Sequence, residues 1–180
     1  GEAEPVLPLV DLSRIAQADA LQTDWPEVDA IIGNPPLLGA KLLRPSLGDD
    51  YVDWLVRQFG VGVKDLCVYW FRRAHEHLQP EQRAGLVGTN SISQTTGRLA
   101  SLAYIASTGG VITDAVSSQK WPGDAKVHVS IVNWVKSPSR NPTDFTLDDQ
   151  VVSGIAPNLR AGDAAGLEVC SIAENRGRCF

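Results

Sequence analysis

The tripeptide Asn34-Pro35-Pro36 is the segment whose residue types are best suited to chemistry. Its two prolines fix φ and remove two backbone donors, leaving a stiff turn that presents carbonyl acceptors. An asparagine side-chain oxygen beside such carbonyls completes a pair of acceptors matched to an –NH2 group. An amine conjugated to a ring or a carbonyl is a poor nucleophile, and two acceptors on its protons raise electron density on nitrogen as it attacks. With proline at roughly 5% of residues and asparagine taken as similar, chance places Asn-Pro-Pro in a chain of this length only about 0.02 times. A rigid loop after a strand is the plain alternative. Thr89, Asn90 and Ser91 form a second polar group that could line a substrate pocket, although these residue types also make simple turns.

Both groups need strands that end beside them. Residues 28–33 (VDAIIG) form a short apolar run that stops at the prolines, as a central, buried strand does when it enters a loop. Residues 84–91 (AGLVGTNS) repeat that pattern. Ligand-binding groups of open α/β sheets gather at such carboxyl ends. Residues 14–21 (RIAQADAL) are a half-polar strand candidate ahead of the first run, and residues 37–48 read as a loop. Asp49 can cap a helix with Val52, Leu55, Val56 and Phe59 at helical spacing. A second helix is predicted from Asp65 to the stop at Pro80, with Arg72, Arg73, Glu76 and His77 on its outer face and Tyr69, Trp70 and Phe71 in the core. A third, around residues 101–107, ends at Gly109-Gly110. Residues 111–118 and 126–136 alternate polar and apolar and predict an antiparallel pair, while SPSRNPTD from Ser137 reads as a linker. The pattern is α/β.

Around the tripeptide the residues resemble a known family. GNPPLL after an apolar strand is similar to the Asn/Asp-Pro-Pro-aromatic signature of class I S-adenosylmethionine-dependent amino-methyltransferases, which include the DNA adenine-N6 enzymes. NPPLLGAKLLRPSLGDDYVDWL, DLCVYWFRRA, RAGLVGTNSI and WPGDAKVHVSIV resemble, in order, the methyltransferase part of MmeI-like type IIL restriction-modification enzymes. The resemblance covers roughly residues 7–136. It implies a partial Rossmann-like class I methyltransferase sheet, its C-terminal half, with an antiparallel strand pair at one edge. It further implies S-adenosylmethionine as cofactor and double-stranded DNA as partner, with an adenine flipped from the duplex because its amino group is otherwise out of reach. Asn34 and the Pro35 carbonyl would hold the target amine, with Pro36 and Leu37 completing the catalytic motif. Asp19 would lie near the adenine ring of the cofactor.

Two departures from the family follow. The position after the prolines is Leu37 rather than an aromatic, so the base would stack elsewhere, with Trp121 as the candidate and Asn90 as a further substrate contact. No glycine-rich strand-to-helix turn lies upstream of Val6. The expectation is therefore a part of a longer enzyme, inactive alone: residues 1–136 as the C-terminal half of a catalytic domain, and residues 137–180 as a linker or the start of a target-recognition module.

Composition bounds these readings. The chain has 43% hydrophobic and 21% charged residues, a globular balance with no apolar stretch of membrane-spanning length, and the expected compartment is the cytoplasm. Three cysteines without a CxxC pair predict reduced thiols. A net charge of -5 excludes a whole-surface grip on phosphates. Lys41, Arg44, Lys120 and Lys126 could still meet phosphates locally. His75 and His77, two apart on a helix, point to different faces and are read as solvated rather than metal-binding, and His128 as a polar strand position. Two rival functions stand beside DNA methylation. One is methyl transfer to a glutamine amide or to RNA. The other is a non-catalytic DNA-binding or scaffolding remnant.

Overall fold

The apolar rows found in the sequence become one sheet with helices packed on it. The structure, a computed structural model, describes residues 15–121, 127–140 and 142–162. Along the chain come β1 (Ala30–Gly33), α1 (Ala40–Leu47), α2 (Asp49–Phe59), α3 (Leu66–His77), β2 (Arg83–Thr89), a 3-10 turn (Asn90–Ser93), α4 (Thr95–Ala100), α5 (Leu102–Ser107), β3 (Gly110–Lys120), β4 (His128–Lys136), β5 (Phe145–Leu147) and β6 (Gln150–Val152). The strand order is β1-β2-β4-β3-β5-β6. β1 runs parallel to β2 and β3 parallel to β5, whereas β2–β4, β3–β4 and β5–β6 are antiparallel. The fold is thus the expected α/β sheet, but the antiparallel pair β3–β4 lies inside it rather than at an edge, because β5 and β6 extend the sheet beyond β3.

Cross-strand rows hold the core face together. Ala84, Trp134 and Ile112 stand abreast, as do Leu86, Val132 and Ala115. Trp134 and Val132 are two positions apart, but Ile112 and Ala115 are three, so a bulge in β3 keeps both rows facing inward. Phe71 and Ala74 of α3 with Leu78 just after it, Leu102 and Ile105 of α5, and Leu147, Ile155 and Leu159 cover that face. Phe71 stacks on Trp134 with ring centroids 5.5 Å apart. Gly88 is required here, because a Cβ would stand 2.9 Å from the Phe71 ring. A second apolar cluster, including Leu21, Leu43, Val52, Leu55, Phe59 and Tyr69, seats α1 and α2 beside α3.

Several expectations need correction. β1 is shorter than predicted and lies at the edge of the described sheet, with Ile32 87% exposed, so it is not a central strand here. Residues 15–21 form no strand: the Asp19 carbonyl accepts the amides of Gln22 and Thr23, and its carboxylate accepts that of Leu21, which closes a turn instead. The predicted loop over residues 37–48 contains α1, which tolerates Pro45 and seats Leu43 in the second cluster. Gly48, not Asp49, is the N-cap of α2. The third helix is split at Ser101, whose buried hydroxyl has the carbonyls of Gly97 and Ile92 within reach at 2.8 and 3.0 Å for its one proton. Residues 145–152 are a β-hairpin continuing the sheet rather than a stretch without periodicity. Arg14, the Pro122-Gly123-Asp124 turn, Lys126, Cys170 and Cys179 lie outside the described residues.

α3 also uses its polar face differently from the expectation. His75 is buried at 1% exposure. His77 does lie on the outer side, yet it bonds the Pro26 carbonyl at 2.8 Å. The two terminal guanidinium nitrogens of Arg73, Nη1 and Nη2, donate to the carbonyls of Leu21 and Thr23, and the group sits 5.0 Å from the centre of the Trp25 ring. His128 is exposed on β4 and Tyr69 and Phe71 are core, all as expected; Trp70 is half-buried. No described helix is long and apolar enough to cross a membrane.

Candidate active site at the carboxyl edge of the sheet

Strand directions bring the predicted groups to one rim. Because β1 and β2 are parallel, their ends at Gly33 and Thr89 point the same way. Antiparallel pairing of β2 with β4, and of β4 with β3, puts His128 and Lys120 at that end too. Asn34, Thr89-Asn90-Ser91 and Trp121 therefore stand along one edge, beyond strands that are rigid because their inward faces are core.

Asn34 is exposed at that edge and Pro35 behind it is buried, so the turn has a fixed base and an accessible amide. Leu37 is half-buried and packs against the main core, which leaves little of it to meet a base. The chain beyond is tied down. Asp65 accepts the Ala40 amide on Oδ1 and the Thr89 hydroxyl on Oδ2, each at 2.8 Å, and the Leu66 amide donates to the Leu38 carbonyl. Asn90 does not project freely. Its amide donates to the Ser118 hydroxyl at 2.7 Å and its oxygen accepts from Ser130 at 3.2 Å, so it braces β2 against β3 and β4. Ser130 Oγ also lies 2.7 Å from the Ser117 carbonyl, and the Asp148 carboxylate holds the Ser117 amide and hydroxyl where a second bulge frees them from the ladder. The Trp121 amide donates to the Val127 carbonyl at 2.9 Å and closes the β3–β4 connection; its side chain is half-buried.

Next to the tripeptide, a hollow of about 370 Å³ runs along β1, lined by Ala20, Trp25, Val28, Ile31, Asn34 and Trp70 among others. Trp25 and Trp70 meet there with ring centroids 6.1 Å apart. The shielded Trp70 indole N–H has no partner among the described residues. Asp19 lies one residue before the lining Ala20. Its carboxylate accepts the Leu21 amide at 2.9 Å and the Tyr51 hydroxyl at 2.7 Å. Burial, and then this bond, push the Tyr51 phenol pKa upward, so the tyrosine stays a donor to Asp19. Each carboxylate oxygen keeps a second lone pair, so Asp19 can still accept from an amino group. These donors and acceptors fit the adenine end of S-adenosylmethionine.

Of the cations considered for phosphate contact, Arg44 is engaged by Asp49 and Asp53, both at 2.7 Å, whereas Lys41 and Lys120 are exposed. Sequence reasoning missed Asp65, Arg73 and Tyr51. Asp65 reads as an ordinary helix cap, and the partners of all three lie far along the chain, where spacing carries no signal.

Residues 1–145 match the family described as the DNA-methyltransferase domain of MmeI. The chain belongs to that family. Among solved structures it is similar to the type IIL restriction-modification enzyme MmeI in complex with DNA, with a TM-score of 0.67 and 23% identity over 82% of this chain. The match covers only 22% of the MmeI chain. Weaker likenesses are a putative class I S-adenosylmethionine-dependent methyltransferase from Listeria monocytogenes (TM-score 0.48, 12% identity, covering 71% of this chain and 38% of that one) and the methyltransferase subunit of a type I restriction-modification system from Streptococcus thermophilus (TM-score 0.45, 16% identity, covering 82% and 33%). No curated protein matches. In this member of the MmeI methyltransferase family, the parallel pairing of β1 with β2 puts the tripeptide at the open end of two parallel strands.

Proposed function

We propose that the chain is the catalytic part of an S-adenosylmethionine-dependent DNA methyltransferase acting on adenine N6, within a longer cytoplasmic restriction-modification enzyme. The observation that carries this reading is Asn34-Pro35-Pro36 at the carboxyl end of β1 in a member of the MmeI methyltransferase family. The catalytic part would run past residue 136, because β5, β6, Ile155 and Leu159 share its sheet and core, and the later residues would lead to a target-recognition module. The MmeI enzyme it resembles was solved with DNA, which favours a DNA substrate over RNA or a glutamine amide.

In this reading the Asn34 oxygen and the Pro35 carbonyl accept the two protons of the target amine. Holding the amine by both protons orients its lone pair and stabilises the positive charge that grows on nitrogen as it attacks. The nitrogen then loses one proton to solvent at the exposed rim. Asp19, oriented by Tyr51, would accept the amino group of the cofactor, whose sulfonium supplies an electrophilic methyl group. Trp121 and Asn90 border the space for the base, Asn90 through the brace it gives β3. Labelled methyl transfer to adenine-containing duplex DNA by the full-length chain, with chromatography of the released nucleosides, tests the proposal. Label in N6-methyladenine is expected; label in RNA or protein alone, or none, would sink it.

A further inference from the structure

We infer that Asp65 is a positioning residue for the Asn34-Pro35-Pro36 turn, an inference that rests on the methyltransferase reading. Asp65 is the N-cap of α3, where an aspartate ordinarily turns its carboxylate onto the amides of its own helix. No such bond forms. The carboxylate reaches across instead, taking the Ala40 amide on one oxygen and the Thr89 hydroxyl on the other, both at 2.8 Å. Ala40 opens α1, whose own N-cap is Gly39 and has no side chain to offer. The aspartate of one helix thus caps another. Thr89 spends its single hydroxyl proton on Asp65, so the Ser91 hydroxyl 2.7 Å away is the donor to Thr89, and the polar group 89–91 comes under the same control.

One carboxylate therefore joins the exit of the tripeptide turn, the start of α3 and the end of β2. Between β1 and the Leu38 carbonyl, which the Leu66 amide holds at 2.8 Å, two prolines have fixed φ. The placement of Asn34 beside β2 is then set at one end by the β1–β2 register, in which Gly33 stands next to Leu86, and at the other by Asp65. A misplacement of about 1 Å at a reacting centre costs on the order of 10²-fold in rate, so a clasp of this kind matters to transfer more than to binding.

The test uses the full-length chain. Asp65→Ala removes both acceptors, whereas Asp65→Asn keeps an oxygen for the Ala40 amide and offers an N–H to Thr89. In Asp65→Ala, the single-turnover methyl-transfer rate to adenine-containing DNA is expected to fall about 10- to 100-fold, with the cofactor Kd changed by less than about threefold. Asp65→Asn is expected to recover most of the rate. Amide hydrogen exchange needs no turnover, and it should accelerate at Ala40 and Leu66 in Asp65→Ala by about tenfold or more, with the Val132 amide unchanged. An alanine variant as fast as wild type, or an Ala40 amide that exchanges no faster, overturns the clasp alone. A wild-type chain that transfers no methyl group overturns the methyltransferase reading and the clasp's catalytic role together, whatever the Ala40 exchange. If circular dichroism finds Asp65→Ala unfolded, Thr89→Val against Thr89→Ser decides: a slow valine variant rescued by serine supports the clasp, and equal rates overturn it.

Discussion

The Trp134 indole N–H donates to Nδ1 of His75 at 3.2 Å within the core. An indole only donates, so Nδ1 must be unprotonated and the ring proton sits on Nε2. Nε2 lies 2.9 Å from the Thr108 hydroxyl, which in turn donates to the Tyr104 carbonyl at 2.7 Å. Every proton in this chain of bonds has one place to be. Charging the imidazole would turn two donors against each other. Lys136, Thr108, Trp134 and the ring of Tyr104 face the histidine, and Glu76 beyond Tyr104 carries the nearest acid of that group.

Burial, and then the Lys136 charge, lower the His75 pKa to about 4. A folded-state value below the ordinary 6.5 means that the unfolded chain binds the proton more readily, so this contribution is complete above pH 6.5 and disappears as pH falls towards 4. The loss is expected to reach about 3 kcal/mol across that window. Urea midpoints measured from pH 7 to pH 4 should fall for wild type and fall less steeply for His75→Gln, which cannot titrate. Parallel slopes would remove His75 from the acid response.

Lys136 reaches from β4 to the end of α3, where its ammonium donates to the carbonyls of His75, Glu76 and Leu78 at 2.8, 3.3 and 2.6 Å. A cation there satisfies groups left open at a helix C-terminus and opposes the helix dipole. Lys136→Met should lower stability by about 1–3 kcal/mol in denaturant unfolding. A midpoint within error of wild type would mean that water replaces the ammonium without loss.

Arg73 holds the segment that carries Asp19, through the Leu21 and Thr23 carbonyls. Arg73→Lys keeps the charge but loses the planar fork that gives each of the two carbonyls its own nitrogen. Isothermal titration with the full-length chain is expected to find S-adenosylmethionine binding weakened about tenfold, the equivalent of one charged hydrogen bond. The rate at saturating cofactor should change little. Unaltered affinity would separate Asp19 from the cofactor.

Asn34→Ala in the full-length chain should slow single-turnover methylation about 10²- to 10³-fold while cofactor binding holds, because the lost acceptor matters most as charge develops on nitrogen. Asn34→Asp keeps an acceptor and should retain more activity than alanine. An alanine variant as fast as wild type would take Asn34 out of the catalytic centre.

Local residue order was enough for the helices around residues 49–59 and 66–77, for the strand before Thr89, and for the end of β1 at Asn34. In each, apolar spacing, prolines and glycines act within a few positions, and neighbours along the chain are neighbours in space. The family signature lies in such a stretch as well, which made Asn34-Pro35-Pro36 visible before any fold.

What packing decided has partners distant in sequence. α1 forms through Pro45 because Leu43 is needed in the cluster with Leu21 and Val52, and because Asp65 caps Ala40 from 25 residues away. His75 is drawn inward because Trp134, 59 positions on, supplies the donor that makes a buried imidazole tolerable. Short polar residues such as Asp65 and Asn90 carry no label saying which distant amide or hydroxyl will meet them. Sheet order, which sets β4 between β2 and β3, is what brings those groups within hydrogen-bond reach.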